Sequence, residues 1–188
     1  KFKNLDGNDV INEDDQEYLG SAFPRLTGGL NFTLEYRNFD FSIFFQGVYG
    51  NKIVNWIYQS TSALGYGNYS VESYGNYWRG ENTSTTWPRP TTTDPNSNNK
   101  MSDRWIQDGS YLRIQNIQIG YTLPERWFNL VPVFSGFRVY AAVQNLFTLT
   151  GYKGYDPDVT NDGLFLRGED YGSYPTPRTI KIGVNMSL

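Results

Sequence analysis

Four stretches of this chain alternate apolar and polar residues, and every charge they contain falls on the polar side. In LTGGLNFTLEYR the apolar positions are Leu26, Leu30, Phe32, Leu34 and Tyr36, against Thr27, Asn31, Thr33, Glu35 and Arg37. FDFSIFFQGVY sets Phe39, Phe41, Ile43, Phe45 and Tyr49 against Asp40, Ser42 and Gln46. FRVYAAVQ sets Phe137, Val139, Ala141 and Val143 against Arg138, Tyr140 and Gln144, and TIKIGVNMSL sets Ile180, Ile182, Val184, Met186 and Leu188 against Thr179, Lys181, Asn185 and Ser187. A period of two marks strands with two unlike faces. The first two stretches meet at Arg37-Asn38, which predicts a hairpin. A fifth stretch, SYLRIQNIQIGYTL, changes parity between Ile114 and Ile117, and a bulge near Gln115-Asn116 restores the facing. The one helical expectation is NKIVNWIYQSTSAL, where Ile53, Trp56 and Ile57 fall on one side.

The connections are unequal. TLPERWFNLVPV, with Pro124 and Pro132, reads as a short structured turn. Residues 51–108 and 150–176 read as long loops, the first containing ENTSTTWPRPTTTDPNSNN. An up-and-down meander puts both long loops at one end of the sheet and both short turns, with the last residues, at the other. Outer-membrane barrels have that asymmetry, with short periplasmic turns and long external loops.

Alternation by itself leaves two all-β architectures open. One is a secreted β-sandwich, a glycan-binding module whose apolar face packs inward; the other is a barrel wall whose apolar face meets lipid. Strands of about 9 to 11 residues, aromatics at strand ends and an apolar face free of charge suit lipid. Five strands cannot close a barrel, which needs about eight. The expectation is an open sheet or one part of a larger wall.

Composition narrows the chemistry. The chain of 188 residues has no Cys and no His, which removes disulfides, thiolate and imidazole zinc sites, Cys and His nucleophiles, and imidazole-based triads. The expectation is that it is not an enzyme. A net charge of -3 without a Lys/Arg run speaks against nucleic-acid partners. No stretch approaches the ~18 apolar residues of a membrane helix, and Lys1 opens no signal peptide.

Three features carry candidate function. In NLDGNDVINEDD, within the 1–25 segment, oxygen-bearing groups recur at the spacing of a calcium loop: Asn4, Asp6, Asn8, the Val10 carbonyl, Asn12 and Asp15. With Asn4 in place of the usual aspartate, the expected ion is a structural calcium held weakly, and the other reading is a solvated acidic loop. The long loops hold Tyr58, Tyr66, Tyr69, Tyr74, Tyr77, Trp78, Trp87, Tyr152 and Tyr155. Of these, Tyr77, Trp78, Trp87 and Tyr155 are the candidates to stack on sugar rings or apolar peptide side chains, against the alternative that they pack the loops together. Finally Lys181, Gly183, Met186 and Leu188 fit a pattern that resembles the terminal β-signal read by the outer-membrane barrel assembly machinery. Such a strand must zip against another to remove an edge.

The longest resemblance joins four stretches. FPRLTGGLNFTLEYRNFDFSIFFQGVYGNKIVN, DGSYLRIQNIQIGYTLP, VYAAVQNLFTLTGYKGYDPDV and YGSYPTPRTIKIGVNMSL are similar, in order and spacing, to the C-terminal part of SusC/RagA-type TonB-dependent transporters of Bacteroidetes. The resemblance implies a transmembrane antiparallel β-barrel of about 22 strands, of which residues 26–188 supply the last strands and their external loops. It implies an outer-membrane importer of oligosaccharides or peptides, capped by a SusD-like lipoprotein and driven by TonB-ExbB-ExbD. The plug domain and TonB box of that family belong to its N-terminal part, and neither is found in these residues.

Overall fold

The computed structural model describes residues 2–62, 67–83, 86–127, 136–159 and 167–187. In chain order the elements are β1 (Leu26–Tyr36), β2 (Phe39–Tyr49), β3 (Lys52–Asn55), α1 (Trp56–Ser62), β4 (Ile106–Asp108), β5 (Tyr111–Thr122), β6 (Gly136–Thr150), β7 (Glu169–Asp170) and β8 (Thr179–Ser187). They fall into two compact units. One comprises residues 24–49, 110–151 and 175–188; the other comprises 1–23, 50–109 and 152–174.

The first unit is an antiparallel meander in the order β1-β2-β5-β6-β8. Its register lines up the alternation of all five strands. Phe32 faces Ile43, Ile43 faces Ile117, Ile117 faces Val143, and Val143 faces Ile180. One residue away, Thr33, Ser42, Gln118, Ala142 and Lys181 form the matching row on the other face.

The expected bulge is present: the register jumps from Phe44/Asn116 to Phe45/Ile114, leaving Gln115 unpaired. A second irregularity lies beyond the last residue that FRVYAAVQ predicts as strand. Between Gln144 and Phe147, Asn145 and Leu146 stand opposite the single Gln115, and β6 continues to Thr150. Because β6 has two more residues there than β2, its parity is unchanged, and Phe147 resumes the alternation that Asn145 and Leu146 break. Asn145 takes a positive φ of 53°, which asparagine tolerates better than most side chains, and its Nδ2 donates to the Pro177 carbonyl at 3.0 Å.

The β1–β2 turn at Arg37-Asn38 is as tight as expected. Arg37 takes a φ of 54°, and Asn38 ties the turn down by donating its Nδ2 to the Thr122 carbonyl at 2.8 Å. Leu26, Tyr49, Tyr111 and Thr150 share the opposite end of the strands, and every excursion of the chain into 50–109 and 152–174 departs from there. The TLPERWFNLVPV turn lies partly outside the described residues.

The second unit carries regular structure within the residues read as long loops. It contains a three-stranded sheet, β4-β3-β7, antiparallel between β3 and β4 and parallel between β3 and β7. The expected helix over NKIVNWIYQSTSAL is also shorter than its apolar positions suggest. Ile53 lies in β3, buried to 1% exposure, and α1 begins only at Trp56. The switch has a local cause: the Asn55 Oδ1 accepts the Tyr58 N–H at 2.7 Å, an N-cap that starts the helix after the strand.

Candidate functional site

The sheet is inverted relative to a water-soluble one. Apolar-face residues stand exposed even on its inner strands, with Ile119 at 52% and Phe147 at 56%. The buried residues belong to the opposite face: Tyr111, Arg113 and Ala142. There Arg113 Nε donates to Thr148 Oγ1 at 3.0 Å and its guanidinium lies over the Tyr111 ring, whose hydroxyl accepts from Gln46 Nε2. A sandwich module would bury the apolar face and wet the polar one, so that architecture is set aside. The aromatic pair Phe39–Tyr121, with centroids 4.7 Å apart, sits at the short-turn end, as aromatics do near the borders of a lipid-facing band.

In the second unit the aromatic candidates take different positions. Trp87 is buried at 6% exposure, bridged to Tyr77 and packed edge-on against Tyr58, which meets the fully buried Trp105 in the same way. The guanidinium of Arg104 lies 4.8 Å from the ring of Trp87 and 4.9 Å from that of Trp105. Burial pulls Arg104 below the ordinary arginine range, and its Nη2 has no hydrogen-bond partner, so the ring faces provide its contacts. Tyr77 is half-buried beneath Arg79. Trp78 and Tyr155 are exposed, and the Trp78 N–H donates to the Trp87 carbonyl at 3.0 Å. Tyr66 lies outside the described residues.

Sequence reasoning missed a polar anchor in this unit. Asp170, 1% exposed, accepts the backbone N–H groups of Gly172 at 2.8 Å and Ser173 at 2.9 Å, and the Tyr152 hydroxyl at 2.5 Å. Burial, and then the bond to Asp170, push the Tyr152 phenol far above its ordinary range, so it serves as a fixed donor. Next to it, the Trp56 Nε1 and the Tyr171 hydroxyl both donate to Glu169 Oε2, with the two rings stacked at 13°. No local pattern announces these partners, because Tyr152 and Asp170 are 18 residues apart and Trp56 and Glu169 are 113 apart.

The 4–15 segment folds on its own side chains. Asn4 Oδ1 accepts from Gly7, Asp6 Oδ1 from Asn8, Asn8 Oδ1 from Val10, and Asn12 Oδ1 from Asp14. The Asp15 carboxylate accepts the Leu5 N–H at 2.6 Å and the Asn12 N–H at 2.9 Å. These two bonds hold its pKa below the usual carboxylate range. Among the described residues no three or more His, Cys, Asp or Glu side chains gather into one cluster; the candidate loop brings two carboxylates, Asp6 and Asp15, with amide and carbonyl oxygens making up the rest.

Of the residues in the terminal pattern, Lys181, Gly183 and Met186 lie on β8, the edge strand, and Leu188 lies outside the described residues. Gly183 pairs with Tyr140.

No family model matches the chain. Individual relatives match it from end to end. It is 36% identical to TonB-dependent receptor P3 of Formosa agariphila, 31% to TonB-dependent receptor P26 of the same organism, and 30% to TonB-dependent receptor SusC of Bacteroides thetaiotaomicron. In each case all of the chain is covered, but only 19%, 19% and 17% of the relative. The chain therefore spans about a fifth of their length. Among solved structures, the RagAB peptide transporter matches 96% of the chain and 19% of its own with a TM-score of 0.82 at 24% identity. The RagAB peptide importer in its closed-closed state gives 0.79 at 23%. With an uncovered apolar face and relatives of this kind, the chain is similar to one part of the TonB-dependent receptors, SusC among them, and has the fold of a stretch of their outer-membrane β-barrel.

Proposed function

We propose that this segment is a stretch of wall, with its attached external unit, in an active importer of oligosaccharides or peptides. The observation that carries the reading is the inverted sheet, with apolar side chains uncovered and Tyr111, Arg113 and Ala142 buried on the opposite face. In this reading Phe41, Ile43, Ile182 and Val184 meet lipid, and Ser42, Arg138 and Lys181 face the lumen. The unit built from 50–109 and 152–174 stands outside the cell, and the Arg37-Asn38 turn stands in the periplasm. No step of catalysis is assigned to it, and nucleic acid is not a partner.

A SusD-like lipoprotein closes the importer from outside, TonB-ExbB-ExbD supplies the energy through other parts of the protein, and the barrel assembly machinery inserts it. Trp78 and Tyr155 offer exposed rings to the solute, with Tyr77 next to Trp78 in the chain. Trp87, buried behind, positions Trp78 through the backbone bond. The peptide half of the substrate class is supported by the RagAB fold match.

Spin labels test the facing. Labels at Ile43 and Ile182 are expected to report a hydrocarbon environment and labels at Ser42 and Lys181 an aqueous one; water at Ile43 and Ile182 would overturn the reading.

We also propose a weak structural calcium site at Asn4, Asp6, Asn8, Val10, Asn12 and Asp15, supported by their spacing. Two Asp15 lone pairs already accept backbone N–H groups, so an ion would use those that remain. Millimolar calcium is expected to protect the 4–15 segment from protease, and Asp6→Ala with Asp15→Ala to abolish the protection. Equal cleavage with and without calcium leaves only the solvated loop.

A further inference from the structure

The polar face carries an arrangement that crosses four strands. Asp40 on β2 and Arg138 on β6 form a two-bond ion pair although β5 runs between them: Arg138 Nε donates to Asp40 Oδ1 at 2.8 Å and its Nη2 to Oδ2. The pair passes over Gly120, which stands between Asp40 and Tyr140 in register. A Cβ at Gly120 would lie inside contact distance of both partners. Beyond the pair, the Arg138 guanidinium lies 5.3 Å from the centroid of the Tyr140 ring. Tyr140 in turn lies across Gly183 of β8, where a Cβ would stand 2.5 Å from its Cζ and its hydroxyl oxygen. Neither glycine has a left-handed backbone. Both are there for space, at strand positions where glycine ordinarily weakens a sheet.

This placement resolves an ambiguity that alternation leaves. A slip of one residue would turn the apolar set to the wrong face. A slip of two keeps every facing, because Ile180, Ile182, Val184 and Met186 are interchangeable in that respect. It does move a side chain beneath Tyr140, since Lys181 and Asn185 flank Gly183 on the same face. We infer that Asp40, Gly120, Arg138, Tyr140 and Gly183 form a brace that holds the strands of this wall in register, with Gly183 acting as the seat that admits β8 against β6 in one register alone. The inference rests on the barrel-wall reading and gives a physical role to the glycine of the terminal pattern.

The test uses the intact transporter in the outer membrane, where this segment brings no cysteine of its own. Cysteines at Ala142 and Lys181, which pair directly, report the native register. Cysteines at Ala142 with Thr179, and at Gln144 with Lys181, report the two slips by two residues. Gly183→Ala is expected to lower the assembled, heat-modifiable protein about tenfold, as overpacking does, and Tyr140→Ala added to it to restore that amount. Tyr140→Ala alone is expected to assemble and to give cross-links from the slipped pairs. Gly28→Ala, where a Cβ would meet nothing within 4 Å, is expected to behave as wild type. Normal assembly of Gly183→Ala, no relief by Tyr140→Ala, or a purely native cross-link pattern in Tyr140→Ala would each overturn the brace while leaving the barrel reading intact. Failure of the wild-type protein to enter the membrane would overturn both.

Discussion

The two units are held together by opposite kinds of order. In the five-stranded sheet the neighbours of a side chain follow from its strand and its parity, and the apolar face is the uncovered one. In the unit of 50–109 and 152–174 the largest side chains under 2% exposed are Trp105, Ile53, Asn55 and Asp170, and distant partners join local ones around them, as Tyr58 meets Trp105 and Tyr152 meets Asp170. The difference teaches that a sheet with an uncovered apolar face is specified by repetition, whereas a compact body with a buried centre is specified by a few particular contacts.

Trp105→Ala breaks the comparison most sharply. Removing a fully buried indole costs about 3 to 5 kcal/mol, and hydrogen exchange is expected to show opening in 50–109 with the protection of β2, β5 and β6 unchanged. Loss of protection in both units would show that the two are not separate in stability. Arginine on the sheet gives the reverse contrast. Ile43→Arg places a charge on the apolar face and is expected to destabilise the membrane-inserted protein by about 2 to 4 kcal/mol. Ser42→Arg, its neighbour in sequence, is expected to be tolerated. Equivalent losses in denaturant titrations of the two would erase the distinction between the faces.

Asp170→Asn sharpens the description of the second unit. It replaces an acceptor of the Tyr152 hydroxyl by a donor, with an expected loss of about 1 to 3 kcal/mol, read as faster proteolysis within 152–174. The same contact has a pH signature. Because the folded state holds the Tyr152 proton above the ordinary tyrosine value of 10.0, the stability from this group is complete below that pH and falls as pH rises beyond it. Tyr152→Phe should flatten that alkaline loss, and an unchanged profile would remove Tyr152 as its source. The smallest effect belongs to the hairpin. Arg37 holds a left-handed backbone, which costs about 1 kcal/mol for a side chain with a Cβ, so Arg37→Gly is expected to stabilise the sheet by up to that amount in unfolding titrations.

Particular elements show where sequence was enough. β1, β2, β5 and β8 were legible because each alternates without interruption or with one parity change, and Gln115 was visible as that change. The end of β6 was not, because Asn145 and Leu146 break the alternation at the irregularity before Phe147 resumes it. β3, β4 and β7 have four, three and two residues, too few for a period to register. The candidate aromatics were legible as a group, but nothing local distinguished the buried Trp87 from the exposed Trp78.

What the sequence by itself determined is which residues share a face, the approximate extents of β1, β2, β5 and β8, and the end of the sheet from which the long excursions leave. Those properties follow from the geometry of an extended backbone, where side chains alternate whatever the partner strand. Only the tertiary structure decided which face stands uncovered, which register of two-residue alternatives is adopted, and which aromatic rings become a core. Each of those depends on groups far apart in the chain, such as Asp40 with Arg138, Tyr140 with Gly183 and Trp56 with Glu169. Contacts of that kind exist only after the chain has closed on itself, so no local pattern encodes them.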